Sequence, residues 1–126
     1  MNTDNIIYCD NFNQIVNYYL ENFNSFQTNK KIEFECGLGC VEFFKSDKNT
    51  NDIIVHSIYI KEQYRKKGLC ENFIKYLIDK IGDTQTLIIQ SVLSKILYDY
   101  LSRFEYNNTI FVIKKEGFVA KKLNKS

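Results

Sequence analysis

Residues 53 to 81 change their hydrophobic period once, and that change limits what the chain can build. Ile53, Ile54, Val55, His56, Ser57, Ile58, Tyr59 and Ile60 are mostly β-branched or aromatic, as in a buried strand. Lys61-Glu62-Gln63-Tyr64-Arg65-Lys66-Lys67-Gly68 is polar and basic. From Leu69 onward the period is helical: Leu69, Cys70, Phe73, Ile74, Leu77, Ile78 and Ile81 share one face, Asp79 and Lys80 lie on the other, and Gly82 can stop the helix. The first-turn N–H groups of such a helix have no intrahelical partner, and its dipole favours an anion there. The stretch alone points to a phosphorylated ligand held at residues 65–70.

The rest of the composition bounds the chain. At 126 residues it suits one domain, 1–126, with one core. The net charge of +2 is too small to argue for nucleic acid. No apolar run reaches the roughly 18 residues that span a bilayer, and Met1-Asn2-Thr3-Asp4-Asn5 lacks the character of a signal peptide. Reduced thiols and a cytoplasmic location are therefore expected for Cys9, Cys36, Cys40 and Cys70. With one histidine and no second cysteine pair, no metal site is expected.

Taken in order, Ile6-Ile7-Tyr8 is a short strand, and Asp10 or Asn11 caps a helix over about residues 11–23. Residues 31–36 and 40–45 form a hairpin around Gly37-Leu38-Gly39. After the strand and helix of 53–81, residues 86–91 return as a strand, which implies a βαβ crossover and a parallel pair. A second helical period runs over residues 92–103. The chain then ends in one or two strands, 109–114 the clearest, with Asn107-Asn108 and Glu116-Gly117 as alternative turns between them. The expected fold is α+β in three layers: a mixed, mostly antiparallel sheet of about six to seven strands, a central splayed parallel pair, and helices on both faces.

At Arg65-Lys66-Lys67-Gly68-Leu69-Cys70 the chain resembles the (Arg/Gln)-x-x-Gly-x-(Gly/Ala) loop of the GNAT superfamily of acyl-CoA-dependent N-acetyltransferases. The lead-in Ile58-Tyr59-Ile60 and Tyr64 are similar too. The resemblance covers residues 53–104 well and the remainder by element order. It implies that backbone N–H groups of Arg65, Lys66, Lys67, Gly68, Leu69 and Cys70 hold the pyrophosphate of coenzyme A, with added charge from Lys66 and Lys67. Backbone groups of Ile58, Tyr59 and Ile60 would pair with the pantetheine arm. Ser91-Val92-Leu93-Ser94-Lys95-Ile96-Leu97-Tyr98 resembles the family's Asn-x-x-Ala-x-x-Leu-Tyr run, with Ser91 and Ser94 substituted on the coenzyme side. Tyr98 stands where the family's tyrosine protonates the departing thiolate, a role its usual pKa of about 10 suits.

The resemblance implies acetyl transfer to a primary amine, as small molecule or peptide, by direct attack in a ternary complex. The protein would be a monomer or homodimer, without nucleic-acid or membrane partners. His56, nine residues before Arg65, stands where some members carry a catalytic histidine. A strand histidine satisfied by packing is the other reading of it. The glutamate other members place eleven residues before the arginine is Ile54 here. Cys70, in place of Gly or Ala, narrows the phosphate's approach, or is simply a buried helix thiol. Tyr98 competes with Tyr100 and with core packing, and Phe104 follows without the family's glycine. These departures leave a second possibility: a GNAT-like module that binds acyl-CoA or a protein partner without catalysis.

Overall fold

The computed structural model describes residues 6–47, 51–82, 85–90, 105–106, 109–114 and 117–122, with side chains through residue 90. These residues form an eight-stranded sheet in the order β1-β2-β3-β4-β5-β8-β7-β6. The strands are β1 (Ile7–Tyr8), β2 (Lys30–Cys36), β3 (Gly39–Lys45), β4 (Asp52–Ile60), β5 (Thr86–Gln90), β6 (Glu105–Tyr106), β7 (Thr109–Lys114) and β8 (Gly117–Lys122). Helix α1 (Phe12–Glu21) connects β1 to β2, and α2 (Leu69–Lys80) connects β4 to β5.

The fold class is the expected one: mixed α+β, mostly antiparallel, with a parallel pair β4–β5 at its middle. The strand number is eight rather than six or seven. Both turn signals near the end separate paired strands, because Tyr106 faces Thr109 and Lys114 faces Gly117. Strands β1 and β2 are also parallel, as a single helical crossover requires. The described helices cover one face. Phe12 of α1 meets Phe73 of α2 edge-on at 5.8 Å, and the Tyr76 hydroxyl donates to Asn17 Oδ1 at 2.8 Å. Residues 92–103, expected as a helix, lie outside the described residues.

Local chemistry explains both helices. Asn11 caps α1, its Oδ1 accepting from Gln14 N–H at 2.8 Å, while Gln14 Oε1 accepts from Asp10 N–H. The buried residues Phe12, Ile15, Val16 and Tyr19 follow a three- and four-residue spacing. On α2 the same spacing buries Phe73, Ile74, Leu77 and Ile78. They pack with Phe34, Val41, Phe43, Ile53, Val55, Leu87 and Ile89 from the facing sheet into one core.

Two polar groups sit inside it. The Tyr19 ring stacks on Phe43 at 3.9 Å, and its hydroxyl is buried with no hydrogen-bond partner among the described residues. Burial pushes that phenol well above its usual pKa. Lys45, only 4% exposed, donates from Nζ to the carbonyls of Phe23 and Phe26 and lies 4.5 Å over the Phe23 ring. Its ammonium thereby closes the 3-10 turn Phe23–Ser25, which follows α1.

Opposite responses follow from these two groups. Tyr19→Phe removes an unpaired hydroxyl and is expected to raise stability by about 1 kcal/mol, whereas Lys45→Ala orphans two carbonyls and lowers it by about 2–3 kcal/mol. Urea midpoints of both variants check this, and a loss of stability in Tyr19→Phe would show that the hydroxyl has a partner.

Candidate active site

The site begins where the described pairing of β4 with β5 ends. Their parallel register runs from Asp52↔Thr86 to Val55↔Ile89, and β4 then continues along β3 as far as Ile60. Lys61 N–H donates to Leu38 O at 2.9 Å, which makes Leu38 and Lys61 a hydrogen-bonded pair of the antiparallel ladder. By the alternation of such ladders, Ile60 and Ile58 turn their N–H and C=O groups away from β3, toward the side β5 has left. Gly39 lies at the tightest point of this ladder. A Cβ there would run into the Tyr59 carbonyl and come within 3.0 Å of Ile60 Cα.

A β-bulge interrupts β4 one step earlier. Glu42 pairs with Ser57 and Phe43 with Val55, so His56 is the extra residue. The bulge changes which residues share a face. Val55, Ile58 and Ile60 lie toward the α1–α2 core, whereas plain alternation through His56 would have grouped His56 with Ile58 and Ile60. That grouping is corrected by the bulge. His56 instead meets Gln90, the last residue of β5, with Nδ1 at 3.0 Å from Oε1. Beside it the Ser57 hydroxyl donates to Glu42 Oε1 at 3.1 Å. Cys40, opposite Tyr59, has its thiol pKa raised first by burial and then by Glu35, Glu33 and Glu42. This face of the sheet is acidic around the bulge.

The loop closes the other end. A 3-10 turn, Glu62–Tyr64, leads to Arg65 in extended conformation, Lys66 at φ 64° and Gly68 at φ 75°. Gly68 is the N-cap of α2 and no side chain caps the helix. A residue at φ 75° on the helix cap is where glycine is needed, and the left-handed turns direct successive amides into one concavity. The Lys66 and Lys67 side chains are exposed beside it. Arg65 is less free than the motif suggests. Its Nε donates to Ile60 O at 2.8 Å, and its guanidinium lies 5.2 Å from the centre of the half-exposed Tyr59 ring. Of the carbonyls on the open side, Ile60 O is thus taken and Ile58 is left. Leu69 and Cys70 sit partly buried at the start of α2. Burial pushes the Cys70 thiol up to about 11, with Glu71 adding to the shift, so this cysteine is a protonated packing group at neutral pH.

Of the expected site residues, His56, Ile58, Tyr59 and Ile60 fall on β4, Arg65, Lys66, Lys67 and Gly68 on the loop that follows it, and Leu69 and Cys70 on the first turn of α2. Ser91, Ser94 and Tyr98 lie outside the described residues. Sequence reasoning missed Gln90, Glu42 and Ser57. Glu42 meets Ser57 only because the bulge shifts the register, and nothing local signals that. Gln90 carried one clue, being a polar residue at the end of an apolar strand.

No family model and no curated protein matches the chain. Among solved structures it is similar to a crystal structure of a "putative acetyltransferase" from Exiguobacterium sp. 255-15, at 18% identity over 85% of this chain and 74% of that one, with a TM-score of 0.44. At that identity and score, neither a family nor an activity follows for this chain.

The loop makes two measurable claims. Gly68→Ala meets no atom closer than Glu71 Oε1 at 3.9 Å, so its penalty is purely conformational, about 1–2 kcal/mol at a left-handed position. Thermal or urea unfolding reads it, and a neutral result would mean that Gly68 is not left-handed. For Cys70, a thiol raised in the folded state stabilises fully below the unfolded pKa of about 8.5. That contribution disappears as pH climbs toward about 11. Cys70→Ala should therefore flatten the fall in stability over that window, and parallel pH curves for the two proteins would rule the buried thiol out.

Proposed function

We propose that the protein is an N-acetyltransferase that uses acetyl-CoA as acyl donor and a primary amine as acceptor. The observation that carries this reading is the stretch of β4 beyond its described pairing with β5, with a left-handed helix start that no described side chain caps at one end and His56 at the other. From His56 to Ile60 the strand covers about 13 Å at about 3.3 Å per residue. An extended pantetheine arm laid against the open side of β4 runs along such a span. The backbone N–H and C=O of Ile58 would pair with its amides. The amides of residues 65–70 and the start of the α2 dipole would hold the pyrophosphate, with Lys66 and Lys67 adding positive charge. Main-chain groups around Tyr59 and Ile60 frame the arm, and Ser91 and Ser94 would face it from beyond β5.

The chemistry needs a base for the amine and an acid for the sulfur. His56, held at the bulge, is the candidate base, directly or through one water. Tyr98 is the candidate acid for the departing thiolate. Attack then takes place in a ternary complex, with rate gained from fixing both partners in place. The acidic sheet face around Glu42 suits an acceptor that arrives as an ammonium ion.

Calorimetry with acetyl-CoA and a thiol-release assay over a panel of primary amines test the reading together. Micromolar binding that is lost in a Lys66→Ala, Lys67→Ala double variant is expected, as is thiol release that falls about 100-fold in Tyr98→Phe. Binding with no release from any amine would favour a non-catalytic acyl-CoA-binding module. No binding at all would remove the coenzyme reading.

A further inference from the structure

The Gln90–His56 contact is used by nothing in the reading above, and it bears on the state of the base. The fold builds it from two separate devices. The bulge leaves His56 without a partner in the β3 register, between the paired residues Val55 and Ser57. Strand β5 delivers Gln90 one residue past the last paired position, Ile89. Leu87 and Ile89 point into the core, so Gln90 falls on the opposite face, the face His56 takes as the residue after core-facing Val55. The atoms that meet are Nδ1 and Oε1, 3.0 Å apart and partly buried. An amide oxygen only accepts, so the proton of that hydrogen bond belongs to Nδ1. In a neutral imidazole the other nitrogen, Nε2, then carries the lone pair.

We propose that Gln90 is a positioning residue that holds His56 as its neutral Nδ1–H tautomer, leaving Nε2 as the ring atom able to take a proton. This inference rests on the acetyl-transfer reading for its catalytic meaning. In the step it serves, the amine lone pair forms the C–N bond while the C–S bond breaks. One amine proton passes to Nε2, and the thiolate leaves with the sulfur electron pair and takes its proton from the acid of the site. The imidazolium so formed keeps its Nδ1–H on Gln90, so the ring does not have to turn. A glutamine with its amide reversed would donate to Nδ1 instead. That would place the proton on Nε2 and leave no base in the site.

His56 is the only histidine in the chain, so its ring nitrogens can be read without assignment. The experiment is a two-bond proton–nitrogen correlation on the ¹⁵N-labelled full chain, at a pH about two above the usual histidine value of about 6.5. A pyrrole-type Nδ1 and pyridine-type Nε2 are expected. Gln90→Leu should lose that pattern, and Gln90→Glu, which keeps an acceptor oxygen, should retain it. In turnover, Gln90→Leu should lower kcat about tenfold with an unchanged KM for acetyl-CoA. An Nε2–H ring in the wild type, or an unchanged pattern in Gln90→Leu, overturns the inference. If the tautomer behaves as expected but no amine is acetylated, the positioning stands and the acetyl-transfer reading falls.

Discussion

Among the described residues, strands β4 and β5 pair from Asp52–Thr86 to Val55–Ile89, while β4 stays paired with β3 as far as Ile60. A sheet interior does not normally leave strand edges open, because unpaired N–H and C=O groups are costly to bury and attract other strands. Here the opening is held from both sides. The β3 ladder, with Gly39 allowing its close approach, keeps β4 straight beyond the parting. The crossover through α2 fixes where β5 begins. Everything assigned to the site lies along this gap: the bulge with His56, the open backbone of Ile58, Arg65 on Ile60 O, and the α2 N-terminus.

The gap can exist because the core on one face is strong without it. Both helices lay their apolar stripes on that face, and the aromatic residues Tyr19, Phe23, Phe26, Phe34 and Phe43 contact each other edge-on or stacked. Such pairs add stabilisation beyond their buried area. The opposite face of β2–β4 carries Glu33 directly across from Glu42, beside the apolar pair Phe44 and Ile54. Like charges at opposed positions weaken a sheet. The core on the helical face offsets that.

The fold was legible wherever one local rule dominated. The switch from strand to helical period at Leu69 marked the start of α2, and the pair Asp10–Asn11 marked the start of α1, where Asn11 is the cap. The Gly68 turn was readable because a glycine before an apolar helical stripe has few other uses. What escaped depended on residues distant in sequence. The bulge at His56 comes from the offset between Glu42 and Phe43 on another strand, and no property of residues 53–60 contains it. Lys45 reads as a polar strand end, yet it lies in the core because carbonyls of the turn after α1 receive its ammonium. Arg65 was expected to offer its backbone N–H, and that its side chain is engaged by Ile60 and Tyr59 was not legible.

The sequence by itself determined the described helices, the βαβ unit and the left-handed glycine turn before α2, because hydrophobic period and glycine conformation act over a few residues. Tertiary structure decided where the chemistry can happen. Only the register between β3, β4 and β5 brings His56 to Gln90, separates it from the face of Ile58, and opens the backbone between them. Register is fixed by side chains on three strands at once, so no single stretch of the chain carries it.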